Sequence, residues 1–137
     1  MSHVINWRHD GRRIVLPILI LRPDPSTDLS GFKAQALVDT GSTTSGITPR
    51  VAEFLGLPKR GKRPLGSAQG EGQAERYLFR VAIPLPSETP NFPFVFDDVS
   101  GFELASSFAL DALIGMDILK QCDFSIDRQQ GCALRFG

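Results

Sequence analysis

Proline and glycine recur along this chain at intervals too short to leave room for long helices. Ten Pro and thirteen Gly divide it into runs that suit short strands, so the sequence predicts a mostly β protein with two short helices. Residues 4–7 and 12–21 flank Asp10-Gly11, a dipeptide suited to a tight turn because glycine tolerates positive φ, and a first hairpin is expected there. A Pro, Asp and Ser loop follows over residues 22–30. Phe32, Ala34, Ala36 and Val38 then alternate with Lys33, Gln35 and Leu37, a strand that ends on Asp39. Val51, Ala52, Phe54 and Leu55 have helical spacing, with Thr48 placed to cap, Pro49 at the first position and Gly56 to terminate.

Further along, residues 66–72 are polar and glycine-rich and precede a strand-like run over 77–85, which reads as the tip of a long hairpin. A Pro-rich loop leads to Phe92, Phe94 and Phe96, which alternate at strand spacing and read as core or interface packing. A second helix is expected over residues 116–121. Residues 123–127 and 132–136 around a Gln-Gln-Gly turn read as a closing hairpin.

The chain's 137 residues form one ordinary domain, 1–137, with enough length to bury a core. Fifteen Lys and Arg balance fifteen Asp and Glu, so no net field recommends nucleic acid or an anionic membrane as a partner. The first eleven residues hold no apolar run of the kind a signal peptide needs, and the run 14–21 contains Pro17 and is too short to span a bilayer. A soluble, cytoplasmic protein without membrane insertion is expected, with Cys122 and Cys132 remaining thiols. His3 and His9 sit in the N-terminal segment without a Cys/His cluster, so they read as surface residues and no metal is expected.

Chemistry enters at Ala36-Leu37-Val38-Asp39-Thr40-Gly41-Ser42, where an apolar strand runs directly into an acid and then small residues. On its own this is also an ordinary turn, since Asp and Gly form turns and Thr and Ser bond to nearby backbone. A second string downstream, Asp111-Ala112-Leu113-Ile114-Gly115-Met116-Asp117-Ile118-Leu119, makes the pair far more specific than either part.

Together the two strings resemble those of the retropepsin-like aspartic peptidases of bacterial or retroelement type. Monomers of that family carry an apolar-apolar-Asp-Thr/Ser-Gly motif and a later apolar-apolar-Gly motif packed beside it. The likeness runs from about residue 14 to residue 136. It implies a single-lobe closed β-barrel that acts as a homodimeric endopeptidase on an extended peptide, with no cofactor. By motif, Asp39 would be the catalytic acid, Thr40 would bond across to the partner chain, and Gly41 would let substrate approach closely. Leu113, Ile114 and Gly115 would support that loop. Gly66, Ser67, Ala68, Gln69 and Gly70 would belong to a flap over the substrate, although Ala68 is the only apolar side chain between Gly66 and Gly72. Ser42 would line the substrate site and donate to the Asp39 carboxylate, a bond that favours the charged form and a more acidic working pH. A plain turn-bonding serine is the other reading of that residue.

The chemistry expected of the pair rests on two carboxylates within hydrogen-bond reach that share one proton, aspartic proteases being the usual illustration of this effect. Asp111 and Asp117 read as acids that stabilise a helix start, and Asp97, Asp98 and Asp127 as loop or turn acids. A rival reading keeps the fold and drops catalysis, leaving a dimeric peptide-binding or scaffolding module. A small β-barrel interaction domain unrelated to peptidases would leave both motifs as coincidences.

Overall fold

The computed structural model describes residues 2–67, 70–85 and 92–137. Ten strands and two helices appear among them: β1 His3–Arg8, β2 Val15–Leu21, β3 Gly31–Val38, β4 Gly46–Ile47, α1 Pro49–Leu55, β5 Lys62–Ser67, β6 Gly70–Ile83, β7 Phe94–Glu103, β8 Ala112–Ile114, α2 Met116–Leu119, β9 Asp123–Ile126 and β10 Gly131–Phe136. No helix among the described residues is long and apolar enough to cross a membrane.

Strands β2, β3, β8, β4, β7 and β6 are neighbours in that order, and pairing of β2 with β6 closes them into a barrel. Alternation decides what the barrel holds. Along β3, Ala34, Ala36 and Val38 turn inward, while on β6 Tyr77, Phe79, Val81 and Ile83 do the same, meeting Leu16, Ile18 and Ile20 of β2 in one apolar core. Helix α1 closes the barrel from one side through Val51, Ala52 and Leu55. Its ends follow the sequence at Pro49 and at Gly56, whose φ of 65° is the left-handed cap. Thr48 departs from expectation: its side chain makes no capping bond, and its carbonyl instead accepts from Val51 and Ala52.

The expected first hairpin does not form. Asp10 and Gly11 do turn the chain, with the Asp10 carboxylate accepting from the amides of Arg12 and Arg13, but β1 leaves to pair antiparallel with β10. The register sets Ile5 opposite Leu134 and Trp7 opposite Cys132, so apolar side chains meet apolar partners across the pair. The closing hairpin β9–β10 forms as read, with the Asp127 carboxylate accepting from the amides of Gln129 and Gly131. His3 is not a loose surface residue: it lies in β1 with its ring 5.7 Å from Phe94 and 5.9 Å from Phe136. Phe94 and Phe96 join that aromatic cluster, whereas Phe92 is exposed.

Two further differences concern acids and lengths. Asp97 and Asp98 are not in a loop but in β7, at a bulge where the register against β6 shifts between Phe79 and Val81 and Asp98 takes φ of 56°. Helix α2 stops at Leu119, two residues short of the expected 116–121.

Arg80, opposite that bulge, is 2% exposed, and its guanidinium donates to the backbone carbonyls of Arg22, Pro25, Ser26 and Asp28. One buried cation therefore holds down the whole connection between β2 and β3. Replacing it with Leu leaves those carbonyls unmet, and we expect Arg80→Leu to lower unfolding stability by about 3 kcal/mol, read from urea denaturation. A loss below about 0.5 kcal/mol would show that water meets the carbonyls equally well.

Burial, with Asp123 nearby, pushes the Cys122 thiol up to about 11, and burial raises Cys132 as well. Because the thiolate is the nucleophile, iodoacetamide at pH 8 should modify the folded chain far more slowly than the urea-unfolded chain, with a rate that climbs about tenfold per pH unit below the raised value. Equal rates in the two states would contradict this.

Candidate active site

Strands β3 and β8 run parallel, with Ala36, Leu37 and Val38 beside Ala112, Leu113 and Ile114, so the two sequence motifs lie side by side. Where β3 ends, the Asp39 amide donates to the Ile114 carbonyl at 2.9 Å. The strand pairing thus extends one residue past Val38 and fixes the backbone that carries the acid. Asp39 is half-buried, and its Oδ1 accepts from the Gly41 amide at 2.9 Å. The Asp39 carbonyl accepts from Ser42 at 3.2 Å, closing the turn. A Cβ on Gly41 would stand 3.2 Å from Asp39 Oδ1, so a side chain there would crowd the carboxylate. Thr40 and Gly41 are exposed at the tip.

The Ser42 hydroxyl does not serve the Asp39 carboxylate. It donates to the Thr44 carbonyl at 2.7 Å, the local turn bond that a serine makes with nearby backbone, and a hydroxyl has only one proton to give.

Beyond Ser42 the loop is tied to the second motif by a lattice of bonds. Met116 and Asp117 donate their amides to the carbonyls of Ser42 and Thr43. Ser45, 1% exposed, donates its hydroxyl to Asp117 Oδ1 at 2.8 Å and its amide to Asp117 Oδ2 at 3.0 Å, and its hydroxyl accepts from the Gly115 amide at 3.0 Å. Asp117 is therefore more than an acid at a helix start, although Ile118 does donate to it. Asp111 precedes β8 and does not flank α2; it accepts from Gln35 on β3 and from Arg50 in the first turn of α1, which clamps helix to barrel. Sequence reasoning missed Ser45 altogether. Nothing local marks one serine among several, and only the approach of residue 117 in space reveals it.

Leu113 and Ile114 lie on β8 beside β3, and Gly115 follows them against the loop after Asp39. Ile114 points into the main core, while Leu113 joins Phe102 and Leu104 in a second apolar cluster on the other face, with Leu37 against it. Gly115 is required by contact: a Cβ would fall 2.7 Å from Thr44 backbone atoms and 2.9 Å from the Ser42 carbonyl.

The glycine-rich hairpin forms a two-stranded arm, β5 with the first half of β6, in which Gly66 faces Glu71 and Ser67 faces Gly70. Ala68 and Gln69 lie outside the described residues. At the base of the arm, Leu65 and Ala74 pack on the Phe102, Leu104 and Leu113 cluster, so the arm rests on the strand that carries the second motif.

Residues 26–121 match the family described as gag-polyprotein putative aspartyl protease. Among solved structures the chain is similar to a retropepsin-like aspartic protease from Rickettsia conorii, with a TM-score of 0.66 and 20% identity over 99% of this chain and 94% of that one. No curated protein matches the sequence.

Since the atoms that crowd a Cβ at residue 115 are backbone, Gly115→Ala forces the two loops apart. We expect a stability loss of about 1–3 kcal/mol and faster hydrogen exchange at the amides of Met116 and Asp117. Wild-type protection at those amides in the variant would mean the loops accommodate the methyl group.

Proposed function

The chain belongs to the gag-polyprotein putative aspartyl protease family, and from that premise we propose that it is an aspartic endopeptidase, active as a homodimer in which each chain supplies one Asp39. The observation that carries this reading is the placement of Asp39: an acid at the end of strand β3, its backbone pinned to Ile114 and its carboxylate oriented by Gly41.

In such a dimer the two Asp39 carboxylates meet on the two-fold axis and share one proton, because two like charges at that distance do not both ionise. The ionised member takes a proton from a water between them, the water attacks the peptide carbonyl, and the protonated member donates to the developing oxyanion. Neither cofactor nor metal takes part. Thr40, exposed at the turn, bonds across to its counterpart, and Gly41 admits the substrate backbone.

Residues around the cleaved bond are apolar in this reading, as the resemblance to the retropepsin-like peptidases implies. The peptide lies extended and gains main-chain bonds under the β5–β6 arm, in the manner of strand addition. The terminal sheet β1–β10–β9 supplies the dimer contact, where edge strand β9 exposes Ile126 at 56% and edge strand β1 exposes Val4 at 42%. Cys122 and Cys132 stand as free thiols, in keeping with a cytoplasmic enzyme.

The test is Asp39→Asn, nearly isosteric but unable to act as base. The variant alone should fold, dimerise and cleave nothing. Mixed with an equal amount of parent chain, it should lower the parent's specific activity to about half by forming one-acid dimers. Peptidase activity in the variant, or undiminished activity once mixed dimers are shown to form, would reject the one-acid-per-chain mechanism. A variant that binds peptides as the parent does, beside a parent that cleaves none, would favour the scaffolding module.

A further inference from the structure

Pro58-Lys59-Arg60-Gly61-Lys62-Arg63-Pro64 is strongly basic, although the whole chain carries no net charge. The fold gathers part of this run against the candidate site. A groove of about 920 Å³ is bounded by Thr43 and Thr44 from the loop that carries Asp39, by Lys59 and Arg60 after α1, by Arg63 of β5 and by Arg76 of β6. Its lining among the described residues contains no Asp or Glu. The basic walls are tied together: the Arg60 amide donates to the Arg76 carbonyl at 2.8 Å, and the Arg76 amide to the Gly61 carbonyl at 3.0 Å. Arg76 Nη2 donates to the Ser100 carbonyl at 2.8 Å, which sets the guanidinium along the wall. One such bond leaves most of the five donors of an arginine with capacity for a ligand.

We propose that this groove binds Asp or Glu side chains of the substrate, at positions outside the apolar residues that flank the cleaved bond. This rests on the peptidase reading above and adds a specificity to it. Four cations lining a groove with no acid among the described residues attract carboxylates, which arginine engages in pairs of parallel bonds. A peptide fits better than a nucleic acid on two counts. The groove continues from the Asp39 loop, with Thr43 only four residues beyond the acid, so a chain lying across that loop enters it. Among the described residues its lining also holds no aromatic side chain on which bases would stack.

The experiment uses the full-length Asp39→Asn chain and two fluorescein-labelled peptides, each with a Leu-Phe centre, one carrying Glu on both flanks and the other Gln. Both flanks are charged because a two-fold dimer presents the groove twice. By anisotropy at low salt, the Glu peptide should bind about tenfold tighter, and the advantage should shrink in 0.5 M NaCl. Adding Lys59→Glu and Arg63→Glu should abolish or reverse the preference while circular dichroism stays unchanged. Equal binding of the two peptides, or a preference kept after charge reversal, would overturn the proposal. Displacement of the Glu peptide by a thymidine oligonucleotide at comparable concentration would also overturn it, in favour of a nucleic-acid surface. Cleavage by the parent chain separates the two readings. Charge-selective binding without cleavage leaves the groove standing and removes the peptidase. Cleavage of both peptides at the same kcat/KM leaves the peptidase and removes the groove.

Discussion

Gly115 lies against the backbone of Thr44 with no space for a methyl group, and around that contact the two halves of the site are bound together. Two connections that leave parallel strands, one toward Asp39 and one toward α2, would each expose unpaired amides and carbonyls if they stood alone. Pressed together, they satisfy one another: Met116 and Asp117 donate to Ser42 and Thr43, and Ser45 exchanges bonds with Gly115 and Asp117. Asp117 holds a buried serine through both its hydroxyl and its amide, charge-assisted bonds that are stronger than neutral ones. The position of Asp39 is thus decided inside one chain, before any partner arrives.

The acid is oriented within the chain, by Ile114 through the backbone and by Gly41 through the carboxylate, so the dimer proposed above would need only to bring two finished loops into register. Preorganisation of this kind lowers the ordering cost at the moment of association. The bond from Ser42 to the Thr44 carbonyl adds a further tie within the same turn.

The parts legible in the sequence were those whose cause is local. Helix α1 is marked by Pro49 and Gly56, the β9–β10 hairpin by its turn, and strand β3 by strict alternation up to Asp39. The pairing of the two motifs was readable only through the family resemblance, since nothing local in either string says that β3 and β8 lie side by side. What stayed hidden depends on partners far along the chain. The partner of β1 was misassigned because Asp10-Gly11 is a sound turn signal, while the competing strand β10 lies more than a hundred residues away. Ser45 and Arg80 look like any serine or arginine until residue 117 and the carbonyls of residues 22–28 surround them. Balanced totals hid the basic groove, since net charge says nothing about where charges collect.

Strand β6 joins these themes. Its first half pairs with β5 in the arm, and its second half closes the barrel against β2 and β7. Tyr77, Phe79, Val81 and Ile83 fill the core, so alternation sends Arg76 and Arg80 to the opposite face. The two arginines meet different fates there. Arg80 is covered by the 22–28 connection, and its guanidinium bonds to four carbonyls of that segment, the pattern of a structural cation. Arg76, four residues nearer the arm, makes a side-chain bond to Ser100 and otherwise borders an open groove beside Asp39's own loop. Because the barrel fixes the strand, it also fixes where Arg76 stands relative to Thr43 and Thr44. A charge whose position is set by the core, bordering a groove with no acid among its described lining residues, suits the carboxylate-binding role proposed above.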